Sequence, residues 1–180
     1  MTERIVPAIN HHAAALRDAR GGVFRGRDAQ HQPRKTDSMV MQRISTPAAP
    51  ATRNAAMIQG APGHASWPAL DVREADETVL KRRFSAFMQG SSHLPQRPCA
   101  RGLDTVRVGG TATSPCCENS ARDAMMPDLR TIIVAECNAA NSDAAHNASL
   151  ASSWNNFGDV MTTDHVIDRL RGGAFGKAAA

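Results

Sequence analysis

The pattern of apolar and polar positions is clearest in the second half of the chain. There, short apolar runs alternate with amphipathic stretches, and Gly, Pro or a capping residue separates them. The predicted strands cover 104–108, 131–135 and 160–161, and the predicted helices cover 120–126, 143–154 and 163–171. Ser142 is the candidate N-cap of the middle helix. Strands that alternate with helices predict a parallel sheet with right-handed crossovers.

The first half is less regular. The pattern predicts a helix over 5–20 that Gly21 and Gly22 end, with a short strand after it. The stretch 26–63 has little periodicity and is rich in Ala, Pro, Gln, Thr and Arg, which predicts disorder or an insert. Residues 71–89 fit one amphipathic helix by periodicity, although short apolar runs do not separate helix from strand.

Composition and charge narrow the classes of function. A length of 180 residues fits a single domain over 1–180, with a flexible tail over 172–180. The net charge is +4, but the arginines are scattered and many adjoin acidic residues, so we expect no nucleic-acid partner. No apolar run approaches the roughly 20 residues of a membrane span, and the N-terminus has no apolar signal region, so we expect no membrane partner. The four cysteines lack paired CxxC spacing, and a reducing cytoplasm is the expected location.

The most informative motif is a strand that runs into a Thr- and Gly-rich turn and then a helix, LDTVRVGGTATSPCCENSARDAMM over 103–126. It resembles the signature of isochorismatase-like cysteine hydrolases, G-T-x-T-N-x-C-x-E-S-T-A-R-D-A. Further matching segments follow in family order: GHASWP at 63–68, VLKRRFSAF at 79–87, QGSS at 89–92, DAAHNASL at 143–150 and FGDVMTTD at 157–164. The resemblance implies a three-layer α/β/α fold with a mostly parallel central sheet. It also makes 79–81 the end of a strand, with a turn and helix beginning at 84–87.

The same resemblance implies a catalytic site. Cys116 corresponds to the nucleophile and Lys81 to the catalytic lysine. A helix N-terminus and a nearby cation both lower the pKa of a thiol, so we expect an activated Cys116. The backbone N–H groups of Ala112 and Cys116 correspond to the oxyanion hole, with a cis peptide bond before Ala112. Neither a metal nor a cofactor is expected, because no His pair inside a matched motif has metal-ligand spacing.

The chain departs from the family pattern at its start. The family's first strand, which carries the catalytic aspartate, should precede the helix at 5–20, and only residues 1–4 do so. That aspartate would take the thiol proton and return one to the leaving amine. Asp18, Asp28 and Asp37 lie nearby, but none follows an apolar strand, so none is assigned this role. The first strand is therefore expected to be missing.

Three functional hypotheses remain open from the sequence. The first is a hydrolase of C–N bonds in small amides or carbamoyl compounds, acting through a Cys116 thioester, with activity impaired by the absent aspartate. The second is a catalytically dead remnant that serves as a binding or assembly module, for which exposed sheet edges predict homo-oligomers. The third is a basic, partly disordered binder, supported only by the stretch 26–63.

Overall fold

The structure is a computed structural model that describes residues 2–28, 58–96 and 102–173. A 3-10 turn, Thr2–Ile5, leads into helix α1, Val6–Asp18, and strand β1 follows as Phe24–Asp28. The Gly21 N–H donates to the carbonyl of Leu16, which closes the end of the helix. The predicted helix and strand are both confirmed. Strand β1 includes residues 26–28 of the stretch predicted to lack structure. Residues 29–57 of that stretch lie outside the described residues.

Strand β2 spans Glu77–Lys81 and pairs in parallel with β1. The single amphipathic helix over 71–89 is therefore wrong, and the strand implied by the family resemblance is right. The helix implied after 84–87 does not form over 82–95, where the chain runs in turns. Hydrogen bonds of Ser85 and Ser91 stabilise these turns. The Ser91 hydroxyl donates to the Ser85 carbonyl at 2.6 Å, and the Ser85 hydroxyl accepts from the N–H groups of Phe87 and Met88. Such side-chain bonds compete with helical ones.

The second half forms a parallel three-stranded sheet with helices around it. Its strands are β3 (Thr105–Thr111), β4 (Arg130–Ala139) and β5 (Asp159–Met161), in the order β3-β4-β5. Its helices are α2 (Asn119–Met125), α3 (Asp143–Asn156) and α4 (Thr163–Arg171). The predicted cap is confirmed, since the Ser142 hydroxyl accepts from the Ala145 N–H at 3.2 Å. The elements confirm the α/β class.

Strand β4 is the most buried element, which its apolar sequence requires. Ile132 and Val134 are fully buried and pack with Val166 of α4, and Ile9 of α1 lies against the same cluster. A separate cluster joins β2, the 82–95 turns and α2; its buried members are Val79, Ala86, Phe87, Leu94, Ala124 and Leu129. Among the described residues, no helix has the length and apolarity needed to cross a bilayer.

The expected single central sheet is instead divided in two. Within the described residues, β1 pairs only with β2, and β3 pairs only with β4, so no backbone ladder joins the two sheets. A cavity of about 560 Å³ lies between them, and α1, β1 and β3 contribute to its walls. This division places β1 of one sheet and β3 of the other beside the cavity.

Candidate active site

Three side chains meet where strands β1, β2 and β3 end. Lys81 is the last residue of β2, and its ammonium lies 3.7 Å from the sulfur of Cys116, which follows β3. Asp28 is the last residue of β1 and forms an ion pair with the same ammonium. The parallel register of β1 and β2 sets Asp28 beside Lys81 directly. The structure therefore brings together both side chains predicted to be catalytic, and it adds a carboxylate.

Lys81 is buried, with 7% of its surface exposed. A buried ammonium is costly unless its hydrogens are bonded and its charge is paired. The Lys81 ammonium donates to Asp28 and to the Arg83 carbonyl at 3.2 Å, and its third neighbour is Cys116. These three contacts fix the position of the Lys81 ammonium beside the sulfur of Cys116.

The backbone around Cys116 is unusual. A cis peptide bond joins Thr111 to Ala112, as the family resemblance implied. A π-helical segment, Thr113–Glu118, follows and runs directly into α2. Within it, the Cys116 N–H donates to the Ala112 carbonyl at 3.1 Å. Of the two donors predicted for the oxyanion hole, the Cys116 N–H is therefore engaged within the backbone.

Side chains from two other elements fix this segment. The Thr113 hydroxyl lies 2.9 Å from Nδ1 of His146 on α3, and Thr113 is fully buried. The Ser120 hydroxyl accepts from the Ala86 N–H at 3.0 Å, which ties the start of α2 to the turns after β2. The two halves of the site, carried by β2 and by the segment after β3, are thus held together through polar contacts as well as through Lys81.

The surroundings of Cys116 raise the pKa of its thiol. Burial raises the pKa of the Cys116 thiol, and the carboxylate of Asp28 raises it further. The ammonium of Lys81 and the hydrogen bonding with Ala112 act in the opposite direction without reversing the shift. The expectation of a lowered pKa was therefore wrong, because removal from water outweighs the cation.

The remaining described cysteines are still less suited to attack. Burial, with the neighbouring Cys116, raises the pKa of Cys117 to about 12. Burial also raises the pKa of Cys137 to about 11, and its sulfur lies 3.8 Å from the Thr163 hydroxyl. All three are free thiols, while Cys99 lies outside the described residues. Cys116 is the one among these three with a cation beside its sulfur.

Asp28 is not recognisable as a site residue from the sequence, because the residues before it, FRGR, do not look like a buried strand. The structure shows that they form β1, with Asp28 at its carboxyl end. The arginines are accommodated by partners elsewhere: Arg25 forms an ion pair with Asp76 at 3.0 Å. A signal was available, since Asp28 and Lys81 each close a short strand, and carboxyl ends of parallel strands gather at one edge.

A metal site was not expected in the sequence. In the portions of the chain that the structure describes, no group of three or more His, Cys, Asp or Glu side chains has the proximity needed to hold a metal ion. The reactive groups that the described site brings together are the thiol of Cys116, the ammonium of Lys81 and the carboxylate of Asp28.

Fold and site together define a class: a parallel α/β protein with a Cys–Lys–Asp cluster at the carboxyl ends of its strands. Comparison with known families identifies it further. The Isochorismatase domain model matches residues 1–165. The chain therefore belongs to the isochorismatase family.

Individual relatives agree with this assignment. Maleamate amidohydrolase of Pseudomonas putida is 35% identical over 115 residues, which are 64% of this chain and 53% of that protein. Nicotinamidase 3 of Arabidopsis thaliana is 29% identical over 97 residues, 54% of this chain and 48% of that protein. The crystal structure of a cysteine hydrolase from Pseudomonas syringae pv. phaseolicola superimposes with a TM-score of 0.85 at 27% identity, covering 95% of this chain and 82% of that one. The chain spans about half the length of the curated relatives it matches.

Proposed function

We propose that this protein hydrolyses the C–N bond of a small carboxamide through a thioester on Cys116. The observation that carries the proposal is the contact between the Cys116 sulfur and the buried Lys81 ammonium, which is itself paired with Asp28. Thiol, cation and carboxylate are the groups that a thioester mechanism requires. The names of two relatives, an amidohydrolase and a nicotinamidase, support the same reaction class.

The raised pKa of Cys116 makes proton removal the first requirement. Asp28 is the base in this proposal. The Lys81 ammonium, which stands between the carboxylate and the sulfur, gives one of its protons to Asp28 as its nitrogen takes the thiol proton, so that Lys81 remains charged and Asp28 becomes protonated. The resulting thiolate is stabilised by the Lys81 ammonium. This step assigns to Asp28 the role for which the sequence offered no residue.

The thiolate then attacks the amide carbon, and a C–S bond forms. The oxyanion is stabilised by the N–H groups of Ala112 and Cys116, and the latter must be shared with the Ala112 carbonyl that it contacts in the free site. The C–N bond breaks as protonated Asp28 delivers its proton to the leaving amine. Water, activated by the same carboxylate, hydrolyses the thioester and restores the thiol.

The cavity beside Cys116 favours an amide that also bears an anionic group. Arg27 lines this cavity, and its Nε is buried without a hydrogen-bond partner. A guanidinium is well suited to bind a carboxylate. Maleamate carries such a carboxylate and nicotinamide does not, so we propose the anionic amide as the better substrate. The Arg27→Met variant should raise KM for maleamate with little change in kcat.

Ammonia release from maleamate, nicotinamide and simple carboxamides tests the proposal. We expect turnover of at least one amide, its loss in Cys116→Ala, and a mass increase on Cys116 after rapid acid quenching. Cys117→Ala is the matched control, because it removes the adjacent thiol and should retain turnover. No turnover of any amide, or equal turnover in Cys116→Ala, would refute the mechanism and favour the non-catalytic binding module.

A further inference from the structure

Helix α3 buries a polar face. Its buried residues are Ser149 and Ser153, and His146 lies half-buried one turn before them. The spacing 146, 149 and 153 puts these three side chains on one side of the helix. A helix that packs on a domain usually buries an apolar stripe, because burial of apolar surface stabilises the packing. A face of imidazole and hydroxyl groups is instead suited to hold particular polar partners in place.

The partner of this face is the π-helical segment Thr113–Glu118. At its first residue, the Thr113 hydroxyl lies 2.9 Å from Nδ1 of His146, and Thr113 is fully buried. A movement that broke this hydrogen bond would leave a buried hydroxyl without water and without a protein partner, which is costly. The contact consequently fixes the point at which the chain enters the segment, three residues before Cys116.

The last residue of the segment, Glu118, contacts the same helix. Burial would raise the pKa of this carboxyl, but hydrogen bonds from Arg122, Ser149 and Ser152 lower it. Ser149 and Ser152 both belong to α3, and the Arg122 guanidinium donates to the Ser152 hydroxyl at 2.9 Å. Cys116 is thus carried on a short segment that α3 contacts at both ends.

We propose that His146 is a positioning residue, which acts through Thr113 to hold the sulfur of Cys116 beside the Lys81 ammonium. Lys81 belongs to the other sheet, and its nitrogen lies 3.7 Å from the sulfur. Because the two groups are carried by different sheets, the position of the segment after β3 decides whether they meet. Attraction between a thiolate and a cation weakens with distance. This role rests on the proposed function and extends it to a residue that does not touch the reacting atoms.

The backbone of the segment explains why an external contact is needed. The N–H groups of Cys116 and Cys117 both donate to the Ala112 carbonyl, at 3.1 and 3.2 Å. The first is the bond of an α-helical turn and the second is that of a π-helical turn. The two turns direct the following side chains differently, and π-helical turns are the rarer of the two. A fixed Thr113 favours the observed arrangement over an ordinary α-helical start.

A double-mutant cycle with Lys81 tests the proposal on the full chain without an amide substrate. Alkylation of Cys116 by iodoacetamide at pH 7.5 is measured in the unsubstituted protein, Lys81→Met, His146→Leu and the combined variant. Burial raises the pKa of the Cys116 thiol, and the ammonium opposes this shift. Lys81→Met should therefore slow alkylation about fivefold or more in the unsubstituted protein, but less than about twofold in His146→Leu. The same factor in both backgrounds would overturn the proposal.

Two conservative variants separate the hydrogen bond from packing. His146→Asn keeps a polar group on Cγ, where Nδ1 branches, so the effect of Lys81→Met should stay within about twofold of that in the unsubstituted protein. Thr113→Val keeps the shape of the side chain and removes the hydroxyl, so it should reproduce His146→Leu, and the two changes together should add little to either. Equal loss in His146→Asn and His146→Leu would show that packing sets the position, and would contradict the proposal.

Hydrogen exchange shows where the variants act. In His146→Leu and in Thr113→Val, the N–H groups of Cys116 and Cys117 should exchange about tenfold faster or more, whereas those of the buried strand β4 should not change. His165→Leu is the matched control, because it removes an exposed imidazole of α4 whose Nε2 accepts from Arg169 at 3.1 Å. It should alter neither exchange nor alkylation. Unchanged exchange at Cys116, or equal acceleration in β4, would refute the local role.

Turnover supplies a separate readout. For an amide that the protein hydrolyses, His146→Leu should lower kcat about tenfold or more and leave KM within about twofold, because the described lining of the cavity does not include His146. His146→Asn should recover most of the lost kcat. A raised KM with unchanged kcat would contradict a positioning role. The alkylation and exchange measurements involve no amide turnover, so their failure is distinct from failure of the proposed function.

Discussion

Replacing Asp28 by Asn should change the reactivity of Cys116 and the rate of turnover in opposite directions. The amide can still accept a hydrogen bond from Lys81, but it carries no charge and takes no proton. Because the Asp28 carboxylate raises the pKa of Cys116, its removal should lower that pKa and enlarge the thiolate fraction. Removal of the proposed base should at the same time slow hydrolysis by a factor of about 10² or more.

The size of the effect on Cys116 follows from the distances. The sulfur lies 3.7 Å from the Lys81 nitrogen, and a hydrogen bond of about 2.8 Å spans the second link, so the carboxylate is within about 6.5 Å. At an effective dielectric constant of about 20, this corresponds to about 2.5 kcal/mol. Since 34% of the Asp28 side chain is exposed, screening leaves roughly 1.4 kcal/mol, which corresponds to an about tenfold larger thiolate fraction when the charge is removed.

A tenfold larger thiolate fraction does not produce a tenfold faster reaction. A less basic thiolate is a weaker nucleophile, with a Brønsted coefficient of about 0.45. Alkylation of Cys116 by iodoacetamide at pH 7.5 should therefore be about three- to fourfold faster in Asp28→Asn, as mass spectrometry of the labelled peptide measures. Slower alkylation would refute the electrostatic reasoning, and unchanged turnover would refute the role of Asp28 as base. A thermal melt of both proteins controls for loss of fold.

Three further predictions concern stability. Burial, with the nearby charges of Arg107 and His11, lowers the pKa of His12 to about 4. Because the folded state favours neutral His12, about 3 kcal/mol of stability should be lost as pH falls from 6.5 to 4. Urea titrations of His12→Leu should show a weaker dependence of the unfolding free energy on pH in that range. Burial would raise the pKa of Asp76, but hydrogen bonds, of which the one from Arg17 has the largest effect, lower it to about 2. The stability that the ionised carboxylate contributes above pH 4 should therefore fall by about 2 kcal/mol between pH 4 and 2. Urea titrations of Asp76→Asn should lack this loss. Gly158 has φ +155°, and a Cβ there would lie 2.5 Å from the Thr131 carbonyl oxygen. Gly158→Ala should therefore lower the unfolding free energy by about 2–4 kcal/mol. An unchanged midpoint of urea unfolding would contradict the close approach.

Local sequence was sufficient for most elements of the second half. The β4 strand was predicted because its run of apolar residues fits only a fully buried position, and the helix after Ser142 because its cap and its length agree. The strand at Glu77–Lys81 required more, since its apolar spacing fits a helix equally well. Matching motifs in the right order resolved that ambiguity, where periodicity did not.

Local sequence likewise predicted some features of the candidate site and not others. Cys116 and Lys81 were identified from motifs, because each lies in a short segment whose local pattern is distinctive. Their predicted catalytic roles stay a prediction that the Cys116→Ala experiment tests. The direction of the shift in the Cys116 pKa could not be read from the sequence, since it depends on how much water the folded chain removes from the sulfur.

The sequence by itself determined the α/β class, the order of the elements and the two motifs that carry the thiol and the ammonium, because these depend on short-range periodicity and turn chemistry. Only the tertiary structure decided that Asp28 joins them, since the pairing of β1 with β2 connects residues 53 positions apart. The division into two sheets was likewise decided there. Strand pairing is a non-local interaction, and a polar strand such as β1 is recognised only by the partner beside it.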